Sequence, residues 1–144
     1  MSTALKKQSK LERPPRGGLA TMVEAIRAGI WEEMERDPTV FLIGEDVGTY
    51  GGAFKVTEGI IDQFGPERVI DTPIAEAAIV GAACGAALMG LRPVAEFQFI
   101  DFISCGFDML TNYAAKCRYR WAQTFPRCFA GRAARACVQV RFTR

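Results

Sequence analysis

Val40-Phe41-Leu42-Ile43-Gly44-Glu45-Asp46 is the stretch on which the fold turns. A run this short and this uniformly apolar is what a strand buried on both faces of a parallel sheet requires, because a strand with one wet face would alternate. Gly44 closes it, and two carboxylates follow at once. Upstream, Thr21 and Glu24 form a capping box, and Met22, Ile26, Ile30 and Met34 recur every four residues, so a helix is expected from about Thr21 to Asp37. Asp37-Pro38 ends that helix.

Downstream of the acidic pair comes a loop with Gly48, Gly51 and Gly52, then a short helix ending at Phe64, with Gly65-Pro66 as its stop signal. Val69-Ile70 begins a second strand. Thr72-Pro73 reads as a cap and a first-turn proline opening a helix that lasts to Gly90. Val94 to Phe99 is a third strand. Asp101 is expected to cap a last helix on which Ile103, Phe107, Leu110 and Ala114 share one face, and Lys116, Arg118 and Arg120 suit its carboxyl end. Strands alternating with helices over short connections predict an α/β fold, a mostly parallel sheet with flanking helices.

Composition narrows the chemistry. The chain has 144 residues, 49% hydrophobic and 24% charged, as in an ordinary globular protein. It has no histidine, which excludes Ser-His and Cys-His catalysis and His-liganded metal. Cysteines at 84, 105, 117, 128 and 137 form no CxxC pair, so neither a zinc site nor a disulfide framework is expected, and an odd number fits a reducing cytoplasm. Residues 1–18 lack a signal-like apolar stretch and read as a disordered basic arm. The run from Ala77 to Leu91 is too short and too rich in Gly and Ala to span a bilayer, so no membrane association is expected. The nominal charge of +2 conceals a division: through Asp108 the chain carries 10 basic and 16 acidic residues, and beyond it 8 basic and no acidic ones.

In open parallel sheets, ligands bind beyond the carboxyl ends of the strands, where helix amino termini direct free N–H groups into a crevice. Glu45, Asp46 and Glu76 occupy such places. Glu76 precedes Ala-Ala-Ile-Val-Gly-Ala-Ala, a small apolar surface that would desolvate its carboxyl group and raise its pKa. Alternatively, it is a first-turn glutamate complementing the helix dipole in water. Gly81 and Gly85 on the same helix each cost about 1 kcal/mol relative to Ala, which calls for compensation by a close backbone approach from a neighbouring helix, a subunit or a ligand. The Gly48–Gly52 stretch has neither GxGxxG nor GxxxxGK[ST] and reads as a shaped turn. Phe97 and Phe99 read as core. Phe102, just past the strand, is either core or a ring able to stack on a flat ligand.

Five segments taken in order carry a resemblance. They are Phe41-Leu42-Ile43-Gly44-Glu45-Asp46-Val47, Tyr50-Gly51-Gly52-Ala53-Phe54-Lys55-Val56-Thr57-Glu58-Gly59, Arg68-Val69-Ile70-Asp71-Thr72-Pro73-Ile74-Ala75-Glu76, Gly90-Leu91-Arg92-Pro93-Val94-Ala95-Glu96-Phe97 and Asn112-Tyr113-Ala114-Ala115-Lys116-Cys117-Arg118-Tyr119. The chain resembles the beta subunit of the thiamine-diphosphate-dependent 2-oxoacid dehydrogenase component, the family of the pyruvate, branched-chain 2-oxoacid and acetoin dehydrogenases. The resemblance runs over residues 19–121 and implies the amino-terminal part of a transketolase-like pyrimidine-binding domain.

It implies that Glu76 is catalytic, bonding the ring nitrogen of the cofactor's aminopyrimidine so that the ring's exocyclic nitrogen can deprotonate the thiazolium carbon. It also implies that Glu45 is a second acid on the pyrimidine side and that Phe102 stacks on the ring. The activated carbon then attacks the 2-oxo carbon, carbon dioxide leaves and the acyl unit passes to a lipoyl group. Thiamine diphosphate would be shared with an alpha subunit that holds the diphosphate and magnesium, in an alpha2beta2 heterotetramer serving a lipoyl-bearing acyltransferase core. Gly81 and Gly85 would then lie at a subunit contact. The other reading is an inactive, truncated remnant that serves as a binding or dimerisation module.

Residues 122–144 depart from the family pattern. Relatives continue with a stretch like Gly-Ala-Asp-Val-Pro, whereas this chain has Ala122-Gln123-Thr124-Phe125-Pro126. GGC GCA GAC GTT CCC encodes the former, and loss of one G gives GCG CAG ACG TTC CC, which encodes the latter. The expectation is that 122–144 is a shifted reading of a GC-rich gene, which would account for its Arg, Ala and Cys content. A nucleic-acid-binding arm is the competing reading of its arginines and phenylalanines, but no recognised module is present, so no nucleic-acid partner is expected. Sequencing the locus tests the shift: one restored base should bring back the family pattern downstream, and failure of any single-base shift to do so rejects it.

Overall fold

Helix α1, Met22–Arg36, starts where the capping box puts it. The Thr21 hydroxyl accepts the Glu24 N–H at 3.3 Å, and the Glu24 carboxylate accepts the Thr21 N–H at 2.8 Å. These bonds satisfy two amide donors that a helix start otherwise leaves bare. The computed structural model that shows this describes residues 20–121, 128–133 and 136–141; the amino-terminal arm lies outside them. The buried face of α1 is Arg27, Trp31 and Met34, whereas Met22 is exposed. The four-residue period thus marks the packed stripe at Ile30 and Met34, with Arg27 and Trp31 beside it, while Met22 falls outside it.

Strand β1, Val40–Gly44, is buried along its whole length. It lies between β2, Val69–Asp71, and β3, Arg92–Phe97, and is parallel to both, with Leu42 opposite Val69 and Val94. The pleat splits its side chains. Phe41 and Ile43 face α3, Glu76–Leu88, with Ile79, Val80, Ala83 and Cys84. Val40 and Leu42 face Trp31 and Met34 of α1 and Ile60 of the short helix α2, Ile60–Phe64. Two covered faces explain why the sequence of β1 does not alternate.

Arg68 ties these layers together at the amino end of β2. Its guanidinium donates to the carbonyls of Met34 (2.8 Å) and Asp37 (3.0 Å), which the end of α1 leaves open, and to that of Val40 (2.6 Å) at the start of β1.

Thr72 and Pro73 do not open α3. The N-cap is Ala75, and the Thr72 N–H instead donates to the Gly44 carbonyl at 2.9 Å, prolonging the β1–β2 ladder by one residue. Sheet pairing thus wins over the local cap. The segment expected as one helix from Asp101 is a 3-10 helix, Ile100–Gly106, a π-helical turn, Met109–Ala114, and α4, Cys117–Trp121. Asp101 lies inside the 3-10 helix, and changing the residues per turn rotates the packing face. Ile103, Leu110 and Ala114 pack on the α3 core as expected, joined by Met109 and Tyr113, while Phe107 is exposed.

The sheet runs β2-β1-β3-β4-β5, where β4 is Cys128–Ala133 and β5 is Ala136–Arg141. β4 is parallel to β3, and β5 is antiparallel to β4. The sequence gives these two strands no distinct signal. Backbone pairing on the open edge of β3 asks little of side chains.

Candidate functional site

Three chain segments converge at the carboxyl end of β1. Gly44 ends the strand at a place where a Cβ would stand 2.9 Å from the Glu96 carbonyl oxygen and 2.9 Å from Val47 Cγ1. Only glycine lets β3 approach that closely. Two residues on, Asp46 takes a left-handed φ of 56°, which side-chain-bearing residues seldom adopt. The reversal turns Asp46 outward and leaves Glu45 buried, 6% exposed.

The loop beyond is braced by hydrogen bonds. Gly52 N–H donates to the Asp46 carbonyl (2.7 Å), Thr57 N–H to that of Gly51 (3.1 Å) and the Thr57 hydroxyl to that of Val47 (2.8 Å). Gly48 N–H donates to the Asp71 carboxylate at 2.6 Å. With Gly51 and Gly52 at φ 80° and 78°, the glycines shape a turn, as the sequence indicates.

Glu45 is directed at the start of α3. Its carboxylate accepts the backbone N–H of Ala75, the N-cap residue. Glu76, half-buried, is the first residue of that helix. Burial pushes the Glu45 carboxyl group above the usual carboxylate range. The Glu76 charge pushes it further, the Ala75 bond partly opposes this, and Asp46 adds a smaller upward push. Glu45 Oε1 is buried with no hydrogen-bond partner, and so is the hydroxyl of Thr72, which follows β2 as Glu45 follows β1. Buried polar atoms normally find partners, so two orphans just past adjacent strand ends mark a place suited to a polar ligand or ordered water.

Phe102 lies in the 3-10 helix after β3. A Cβ at Gly106 would lie 2.8 Å from Val80 Cγ2 and 3.4 Å from the Glu76 carbonyl oxygen, so glycine there lets this helix close on the first turn of α3. The Phe102 ring is 39% exposed and meets Phe99 edge-on, with centroids 5.7 Å apart. Phe97 is core as expected. Phe99 is not: it is 39% exposed and joins Phe102 and Phe54 in a row of rings. The end of β3 projects it past the last covering helix. Sequence reading missed Phe54 and Thr72 as site neighbours. The register of Thr72 after β2 was the available signal for one, and nothing local marks the other.

On α3, Gly85 meets nothing within 4 Å of a Cβ position and Gly81 meets only Met109 Sδ at 3.9 Å. Close packing among the described residues therefore does not account for either glycine. Ala77, Ala78, Ala82 and Met89 are exposed on the same helix. No helix among the described residues is long and apolar enough to cross a membrane.

A mostly parallel sheet flanked by helices, with carboxylates just past its strand ends, places the protein in the α/β class. Residues 19–129 match the transketolase pyrimidine-binding domain, and the chain belongs to that family. It is 55% identical over 98 residues to the 2-oxoisovalerate dehydrogenase subunit beta of Bacillus subtilis, covering 68% of this chain and 30% of the relative. It is 54% identical over 99 residues to the pyruvate dehydrogenase E1 component subunit beta of Rickettsia conorii, covering 69% and 30%. A mitochondrial pyruvate dehydrogenase E1 beta subunit of rice is 52% identical over 99 residues, covering 69% and 26%. The chain thus spans about 30% of the length of these relatives.

The raised Glu45 pKa has a consequence for stability. A carboxyl group whose pKa is higher folded than unfolded stabilises the fold fully below its unfolded pKa, and that contribution is lost as pH rises through the folded value. Glu45→Gln should therefore raise the melting temperature at pH 7, with the gain shrinking toward pH 4. Equal melting curves for the two proteins at pH 7 would contradict this placement of Glu45.

Proposed function

We propose that this chain supplies the pyrimidine side of a thiamine diphosphate site in the beta subunit of a 2-oxoacid dehydrogenase. The observation that carries the reading is the buried Glu45 carboxyl group, with its orphan oxygen, beside Glu76 at the start of α3. An aminopyrimidine presents ring nitrogens and an amino group in one plane, so it needs polar groups at its edge and an apolar wall on its face. Glu76 is the group for the ring nitrogen, Glu45 and the Thr72 hydroxyl complete the polar edge, and Phe102 is the wall.

Thiamine diphosphate, when bound, supplies the carbon nucleophile that adds to the 2-oxo group. The chain's own residues do the rest of the work on this side. Glu76 exchanges a proton with the ring nitrogen, and a neighbour with a raised pKa, Glu45, keeps negative charge from accumulating beside it. Burial keeps water from the Glu45 carboxyl group, and Glu76 is half-buried beside it.

The diphosphate and its magnesium belong, in this proposal, to an alpha subunit, with the assembled alpha2beta2 component passing acyl groups to a lipoyl-bearing acyltransferase core. The α3 face bearing Gly85, Ala82 and Met89 is the surface we assign to subunit contact. The same exposed face favours a second reading, an inactive binding or dimerisation module.

Co-expression with an alpha subunit separates the two. The enzyme reading expects thiamine diphosphate binding and 2-oxoacid decarboxylation, with Glu76→Gln lowering turnover by at least about 100-fold. Association and cofactor binding without turnover support the module, and failure to bind the cofactor at all rejects the pyrimidine-site reading.

A further inference from the structure

The loop that carries Phe54 is gripped from below by a buried arginine on another element. Arg27, 8% exposed in the middle of α1, donates through Nε to the Val56 carbonyl at 3.2 Å and through Nη2 to the Lys55 carbonyl. Its guanidinium also stands 3.8 Å from the Glu58 carboxylate. The fork of donors on guanidinium is suited to holding two successive carbonyls in fixed relative positions, which an ammonium cannot do.

What Arg27 holds is an uncomfortable piece of backbone. Lys55 has a φ of 58°, in the left-handed region. Its side chain folds back over the Tyr50 ring, Nζ 3.7 Å from the centroid. Such a conformation persists where surrounding bonds over-determine it, and it tends to occur where a neighbouring side chain must be aimed.

The aimed side chain is Phe54. Its ring meets Phe99 edge-on, with centroids 5.3 Å apart at an interplanar angle of 80°, and Phe99 meets Phe102 in the same way at 5.7 Å and 76°. Edge-to-face contacts have preferred orientations, so each ring in the row constrains the next. All three are partly exposed, which leaves neighbouring rings, more than core packing, to fix their poses.

We propose that Arg27 is a positioning residue for the ring wall: by clamping the Lys55 and Val56 carbonyls it seats Phe54 against Phe99, and through Phe99 it sets the orientation of Phe102. The importance of that orientation for ligand binding rests on the pyrimidine-site reading above. The mechanical coupling does not.

The test uses the full chain with phenylalanine rings labelled for NMR, and 4-amino-5-hydroxymethyl-2-methylpyrimidine as the probe. Phe54→Leu, a change at a partly exposed ring that leaves the core intact, should shift the Phe102 ring resonances. Arg27→Lys, which keeps the charge but loses the fork, should shift them too. Phe54→Tyr should restore the native shifts. Affinity for the probe should fall about three- to tenfold in the first two variants and recover in the third.

Unmoved Phe102 resonances in Phe54→Leu overturn the coupling, and movement in Phe54→Leu without movement in Arg27→Lys overturns the role of Arg27. If Arg27→Lys does not fold, the Phe54 pair and faster exchange of the Thr57 amide in Arg27→Gln decide in its place: native exchange there rejects the clamp. Absence of probe binding by the unmodified chain contradicts the pyrimidine reading alone, since the ring shifts are read without ligand.

Discussion

A carboxyl group held out of water at the end of β1 organises this protein. Glu45 is buried because the strand before it is buried on both faces and because Gly44 lets the neighbouring strand come within backbone contact. Taking a carboxylate out of water is costly, and here the Ala75 N–H offsets only part of the cost, leaving a raised pKa and an oxygen without a partner. Glutamine or an apolar side chain would be accommodated more comfortably at such a position, and this cost is what the proposed role in ligand binding would explain.

The surrounding structure serves that placement. The two apolar clusters, one under α3 and one under α1 and α2, clamp β1 from opposite sides and fix where its end lies. The extra ladder bond from Thr72 to Gly44 moves the cap of α3 to Ala75, so that Glu76 rather than Pro73 occupies the first helical position. Gly106 then lets the helix bearing Phe102 sit down on that first turn. Three unrelated sequence features thus converge on one crevice.

Much of this was legible beforehand. The uninterrupted Val40–Ile43 run gave the central strand, Thr21 with Glu24 gave the start of α1, and Gly65 gave the end of α2, because each rests on local backbone chemistry. The positions of Glu45 just past β1 and of Glu76 at the start of α3 were legible from the strand and helix pattern. Non-local competition was not legible. Thr72 has the look of a cap, yet a sheet bond to Gly44 takes its amide. On α1 Trp31 packs into the core beside Met34, whereas Met22 is exposed. Phe99 was read as core although the covering helices stop short of it. The last two strands, β4 and β5, depend on the β3 edge that β1 leaves open, which no local pattern announces.

The central claim is that Glu45 is a buried acid in electrostatic contact with Glu76, and carboxyl-carbon NMR titration of Glu45 in the unmodified chain and in Glu76→Gln tests it most directly. The account predicts that Glu45 titrates above the usual glutamate range of about 4.3. In the variant its midpoint should fall but stay above that range, because burial is the larger cause and the Glu76 charge the smaller one. A midpoint at the ordinary value, or one unchanged by Glu76→Gln, would contradict it.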